Sequence, residues 1–133
     1  VRLLSDDALA TLTIWTEAQG ESFEGKVAVG EVIRERMRRK YASDGTVAGT
    51  VARRYQFSAW NDDHQDNALL IRALKLDWGD VGIPECQRAW EKSATTNYVS
   101  KAVLYCNLAV AQPDWAKPEK LVTKIEHHSF FSD

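Results

Sequence analysis

The chain has 133 residues, 44% hydrophobic and 27% charged, with a formal net charge of -2. That length suits one domain, residues 1–133, around one hydrophobic core, and the composition is ordinary for a globular protein. The near-neutral charge argues against a strongly basic nucleic-acid binder and gives no long-range pull toward an anionic surface, so affinity for one must come from a cleft.

The opening Val1-Arg2-Leu3-Leu4-Ser5-Asp6-Asp7 turns acidic too soon for a signal peptide. Export is therefore expected to be supplied from elsewhere. No apolar run approaches the length needed to span a bilayer. Ser5 and the two aspartates after it read as a helix start: a side-chain cap, then acids at the positive dipole end. Ala8, Leu12, Trp15 and Ala18 follow at helical spacing, and Gly20 is a natural stop. Ser22 caps a second helix. Its apolar stripe is Val29, Val32, Ile33 and Met37, with Glu31, Arg34, Glu35 and Arg38 expected to face away.

Tyr41 to Thr50 is turn-rich around Ser43-Asp44-Gly45, and Val51 to Trp60 reads as irregular structure or a short strand. Asn61 to Asp66 is a polar loop. Helical pattern resumes over Ala68 to Leu76 and again from Pro84 to Ser93, where proline suits a first turn. Val99 to Ala111 reads as a buried helix. Pro113 and Pro118 break the pattern before a tail that ends near Phe130 and Phe131. Cys86 and Cys106 form neither a metal motif nor a disulfide framework. They are expected free and buried as small hydrophobes, with a single disulfide left open.

Chemistry concentrates in Trp15-Thr16-Glu17-Ala18-Gln19-Gly20-Glu21. With Gly20 breaking the helix, Glu17 falls in its last turn. There the negative dipole end and the apolar face both disfavour a carboxylate charge, which suits a carboxylic acid that keeps its proton near neutral pH. On pattern alone, exposure is the commoner fate of both glutamates. Arg36 lies at the edge of the apolar stripe. It reaches either a carboxylate or the orphan carbonyls ending the first helix, or it snorkels to the surface. Asn61-Asp62-Asp63-His64-Gln65-Asp66 offers oxygen ligands but lacks the glycine and closing Glu of a calcium loop. The adjacent His127-His128 is not spaced for zinc, and there is no phosphate loop or nucleophile elbow. Neither a metal nor a cofactor is expected. Trp60 and Trp115, in predicted loops, could stack on sugar rings, while Trp15 and Trp90 read as core.

Glu17-Ala18-Gln19-Gly20-Glu21 followed by Glu24-Gly25-Lys26-Val27-Ala28-Val29 closely resembles the opening signature of the SleB-like cell wall hydrolases, which include spore-cortex-lytic and phage lytic enzymes. Further matches follow in order. Arg36 ends a second signature, and Gln56-Phe57-Ser58 with Trp60-Asn61 and Asn67 resembles a middle motif. Ala102, Tyr105 and Asn107 resemble the next, and Pro113, Trp115, Ala116, Ile125, His128 and Phe130 the last. The chain departs from the pattern at Ser100-Lys101, where paired glycines are frequent, and at Cys106 for a common histidine. It also departs at Glu126 for a common glycine and Glu35 for a usual asparagine.

The resemblance implies a mainly helical α+β fold like those of lysozyme and the lytic transglycosylases. It implies cleavage of the β-1,4 bond between N-acetylmuramic acid and N-acetylglucosamine, with Glu17 as acid and then base. Gln56, Ser58, Trp60, Tyr105 and Asn107 would line the cleft, and Glu21, Arg36 and His128 would support it. The expected partner is the peptidoglycan glycan strand, met by a monomer without nucleic acid or membrane insertion. Delivery to the wall would come through phage lysis machinery, a virion or a larger parent protein. The rival readings are a hydrolytic muramidase and a non-catalytic glycan-binding or virion module of the same fold.

Overall fold

A computed structural model describes residues 5–53, 57, 60 and 82–133. Helix α1 spans Asp6–Glu17, α2 Phe23–Arg39, α3 Val47–Val51 and α4 Ile83–Ser93. Strands β1 (Leu104–Cys106), β2 (Leu121–Ile125) and β3 (His128–Phe131) form an antiparallel sheet in the order β1-β3-β2. No helix among the described residues is long and apolar enough to cross a membrane.

The two serine caps predicted from sequence are in place. Ser5 Oγ accepts from Ala8 N at 3.2 Å, and Ser22 Oγ accepts from Gly25 N at 3.1 Å. Helix α1 ends at Glu17, and Gly20 takes a φ of 77° in the turn that follows. Burial of α1 runs all round it, threonines included. Thr13 and Thr16 remain satisfied by bonding back to Leu9 O and Thr13 O of their own helix.

Helix α2 is buried on two faces. Val29 and Ile33 join Leu9, Ile14, Val47, Val51 and Trp90 in a core shared with α1, α3 and α4. Ala28 and Val32 join Val99, Ala102 and Phe130 in a second core beneath the sheet. This corrects the simple amphipathic reading. Glu31 is 8% exposed rather than outward. Its carboxylate accepts from Thr96 Oγ1 (2.5 Å), Tyr98 N (3.1 Å) and Val99 N (3.0 Å), satisfying a segment that runs over α2 without secondary structure. Arg34 also turns inward, lying 3.7 Å from the Trp90 ring centroid and donating to Ser93 Oγ and Trp90 O. Glu35 and Arg38 pair with each other at 2.6 Å.

Three further elements differ from expectation. The turn-rich stretch closes into α3, nucleated by Thr46, whose hydroxyl accepts from Gly49 N. Val99 to Ala111 is strand β1 flanked by turns, not a helix. Lys101 sits at φ 69°, which stops a right-handed helix. Asn107 folds its own turn by accepting from Ala109 N, and Val110 is 82% exposed. The spacing of Val99, Ala102 and Val103 imitates a helix, but the chain runs into a strand instead: Val103 N donates to Phe131 O at 3.0 Å, and Tyr105 pairs with Phe130 on β3. The tail forms the β2–β3 hairpin, in which Thr123 and Ile125 pair with Phe130 and His128. The predicted helix over Ala68 to Leu76 lies outside the described residues.

Lys101 and Glu126 have φ of 69° and 53°. Both stand where the resembled family often has glycine, the residue that enters the left-handed region without strain. A side chain there costs roughly 1–2 kcal/mol, against roughly 0.5–1 kcal/mol of extra chain entropy lost by glycine. Lys101→Gly and Glu126→Gly are each expected to raise the unfolding free energy by about 0.5–1 kcal/mol in urea titrations. A loss in either would mean that the native side chain makes a contact worth more than its strain.

Candidate active site

Glu17 is the last residue of α1 and is half-buried. The phenol of Tyr105, on β1, donates to Glu17 Oε1 at 2.6 Å. Strand alternation places Tyr105 on the same face as its pair Phe130 and the diagonal His128. Its ring centroid lies 5.6 Å from that of Phe130 and 5.0 Å from that of His128. Tyr105 packs against both hydrophobic cores and so sits at their seam.

Arg36 is 4% exposed, which excludes the snorkelling alternative. Its Nε donates to Val103 O at 2.7 Å, and its guanidinium lies 5.0 Å from the Phe57 ring and 5.8 Å from Tyr41. The carbonyl that Nε satisfies belongs to the approach to β1. Burial lowers the pKa of this guanidinium, while the nearby Tyr105, Tyr41 and Glu17 pull it back up. Arg36 therefore shares one electrostatic neighbourhood with the Glu17–Tyr105 pair.

Glu21 is buried, contrary to the reading from pattern alone. Its carboxylate accepts from His127 N at 3.0 Å and meets His127 Nδ1 at 2.6 Å, fastening the hairpin turn to the α1–α2 turn. Sequence reasoning weighed His127 as a zinc ligand and missed this role. The signal was available: β-branched Val122, Thr123 and Ile125 before it and Phe130-Phe131 after it are a hairpin pattern with His127 at the turn. Among the described residues no three His, Cys, Asp or Glu side chains are grouped to hold a metal ion. His128 Nδ1 stands 3.6 Å from Glu21 Oε1. Burial lowers the His128 pKa, the Glu21 charge raises it, and His127 lowers it.

The remaining candidates divide. Trp60 is half-buried against the helical core and donates through Nε1 to Thr13 Oγ1 at 2.9 Å. Trp115, also half-buried, meets Phe131 edge-on at 5.6 Å. Trp90 is buried, as expected, whereas Trp15 is half-buried. Asn107 spends its side-chain oxygen on its own turn. Gln56, Ser58, Asn67 and the loop Asn61 to Asp66 lie outside the described residues. Both cysteines are free. Burial pushes the Cys86 thiol up to about 12 and also raises Cys106, so neither is a ready nucleophile.

The sequence profile of a family described as Cell Wall Hydrolase matches residues 20–131. Among solved structures, the catalytic domain of the germination-specific lytic transglycosylase SleB from Bacillus anthracis superposes with a TM-score of 0.74. The two are 21% identical, over 96% of this chain and 93% of that one. The catalytic domain of the Bacillus cereus SleB protein superposes with a TM-score of 0.73. That pair is 22% identical, over 96% of this chain and 89% of the other. These likenesses show a shared fold, mainly helical α+β with a small antiparallel sheet. Among curated proteins none matches significantly.

Two tests follow from this geometry. Arg36→Ala strands Val103 O and removes a buried charge-assisted bond, and should cost about 1.5–3 kcal/mol in urea denaturation. An unchanged midpoint would contradict the buried role. Because the folded pKa of His128 is depressed, its contribution to stability is complete above the ordinary value of 6.5 and lost as pH falls through the lowered folded value. Melting temperature should therefore fall less between pH 7 and pH 5 in His128→Phe than in the parent, and equal slopes would contradict the burial.

Proposed function

The chain belongs to the cell wall hydrolase family, and from that premise we propose that it is a single-domain, monomeric lytic transglycosylase. It cuts the β-1,4 bond between N-acetylmuramic acid and N-acetylglucosamine in peptidoglycan, with Glu17 as the acid and then the base. The observation that carries this reading is the Tyr105 hydroxyl 2.6 Å from Glu17 Oε1, at the end of a buried helix. An acid that gives a proton and then takes one passes through two protonation states. A phenol serves both, donating to the carboxylate and accepting from the carboxylic acid.

Protonated Glu17 gives its proton to the bridging oxygen as the C1–O bond breaks, and N-acetylglucosamine leaves with a free 4-hydroxyl. The C6 hydroxyl of the muramic residue then bonds to C1 and passes its proton to the Glu17 carboxylate. No water is consumed, and the product ends in 1,6-anhydromuramic acid. Ordinary glycosidases need a second carboxylate to activate water or to form a covalent adduct. Among the described residues Glu21, the next carboxylate along the chain, is buried and engaged by His127, which favours the internal hydroxyl held beside C1 as nucleophile; Asp62, Asp63 and Asp66, the carboxylates that would serve a hydrolytic route, lie outside the described residues.

Glu17→Gln keeps the shape but carries no transferable proton. It should fold and lose roughly 10²–10⁴ in rate on purified cell walls, whereas lysis at the parental rate would remove Glu17 from the chemistry. Borohydride treatment followed by mass spectrometry identifies the product. Anhydro ends are one water lighter than reducing ends and take up no hydride. Fragments that all take up hydride would make the enzyme a muramidase, and binding without fragments would make the chain a non-catalytic glycan module.

A further inference from the structure

We infer that His128, braced by Glu21, is a positioning residue: it holds the Tyr105 ring at the angle from which the phenol reaches Glu17. The inference rests on the proposed role of Glu17 as the acid.

Tyr105 is flanked on the sheet face by two rings from β3. Phe130 is fully buried and purely apolar. His128 is a different kind of neighbour. Its ring lies 5.0 Å from Tyr105 at an interplanar angle of 51°. Its Nδ1 is buried and has no hydrogen-bond partner among the described residues. A phenylalanine could fill that place without stranding a nitrogen, and a buried polar atom without a partner costs stability. Packing alone does not account for an imidazole there.

The stranded nitrogen faces a carboxylate. Glu21 Oε1 lies 3.6 Å away, just beyond hydrogen-bond reach, and the Glu21 side chain is 4% exposed. Glu21 itself is fixed by the backbone N–H and the ring of His127. Its charge favours the tautomer with the proton on Nδ1, which sets the orientation of the His128 ring. Among the described residues, the titratable and charged groups around this ring are Glu21 on the α1–α2 turn, His127 on the hairpin turn and Tyr105 on β1. Beyond Tyr105 lie Glu17 on α1 and Arg36 on α2.

The contacts close a loop. Glu17 bonds to Tyr105, Tyr105 packs on His128, His128 faces Glu21, and Glu21 lies four residues after Glu17, on the turn that follows α1. The turn that follows the acid thus carries the brace for its partner, so a shift of the sheet relative to α1 is resisted at both ends. Misplacement of a reacting group by about 1 Å can cost a hundredfold in rate, which gives such a brace something to protect.

The test uses the full chain with His128→Phe, Glu21→Gln and the double variant, assayed on soluble glycan strands from peptidoglycan. His128→Phe keeps a ring against Tyr105 but has no nitrogen to orient. Glu21→Gln keeps an acceptor for His127 N but loses the charge. Each single variant should lower kcat about tenfold with KM held within about twofold. The double variant should be no worse than the poorer single one, because both act through one ring. A second readout does not depend on catalysis. In NMR titrations the Tyr105 ring signals should follow His128, and Glu21→Gln should lower the His128 pKa further by removing the carboxylate that raises it. Parental kcat in folded His128→Phe, multiplicative losses in the double variant, or Tyr105 signals indifferent to His128 would each overturn the inference. Failure of the acid role would look different: Glu17→Gln would cut at the parental rate, or the parent itself would produce no glycan fragments, while the NMR coupling persisted.

Discussion

Helix α2 must be covered on two sides, and the placement of the site follows from that. Val29 and Ile33 require a helical layer, which α1, α3 and α4 provide, and Ala28 and Val32 require a second layer, which the sheet and its approach provide. Each half covers one face, so the end of α1 and strand β1 come together along the seam. A side chain large enough to touch both cores fits there, and Tyr105 is that side chain. Arg36 belongs to the same seam. It ties α2 to the backbone just before β1 through Val103 O, so the strand that carries the phenol is fixed from behind.

Much of the helical half was legible because its signals are local. A serine cap, acids in the first turn and apolar residues at helical spacing each act within a few residues, and α1, α2 and α4 form close to where those signals place them. The sheet was not legible for the opposite reason. Strand β1 is three residues long, and what makes it a strand is its pairing with β3, far along the chain. Val99, Ala102 and Val103 carry helical spacing, and nothing nearby contradicts it except the left-handed Lys101, which is a lysine where a glycine would have announced the turn. Glu31 was misread for a related cause. A glutamate on a helix is usually solvated, and its burial depends on a loop that needs acceptors for the N–H groups of Tyr98 and Val99.

The site divides along the same line. Glu17 and Glu21 could be picked out through their motif, but their fates differ for reasons the motif does not hold. One meets a phenol from a strand 88 residues away, and the other meets a histidine from a hairpin turn. Arg36 was recognisable as a cation that needs a partner. That one partner is the Val103 carbonyl depends on β1 existing at all.

The departures from the family pattern also become physical once the backbone is known. Lys101 and Glu126 take backbone angles that glycine adopts without strain, and they lie at the two turns that deliver β1 and β3 to the site. A side chain there narrows the conformations each turn can visit when unfolded as well as straining it when folded. Cys106 follows Tyr105 in the strand, so by alternation it points to the opposite face, away from Phe130 and His128. Exchanging a histidine for a cysteine at that position leaves the face that meets Glu17 unaltered. Apart from Glu35, which lies on α2 and pairs with Arg38, the substitutions thus fall on the turns and on the far face of the sheet, while Tyr105, Phe130 and His128 stay together on the other face. That is the face on which a rigid approach of the phenol to the carboxylate depends.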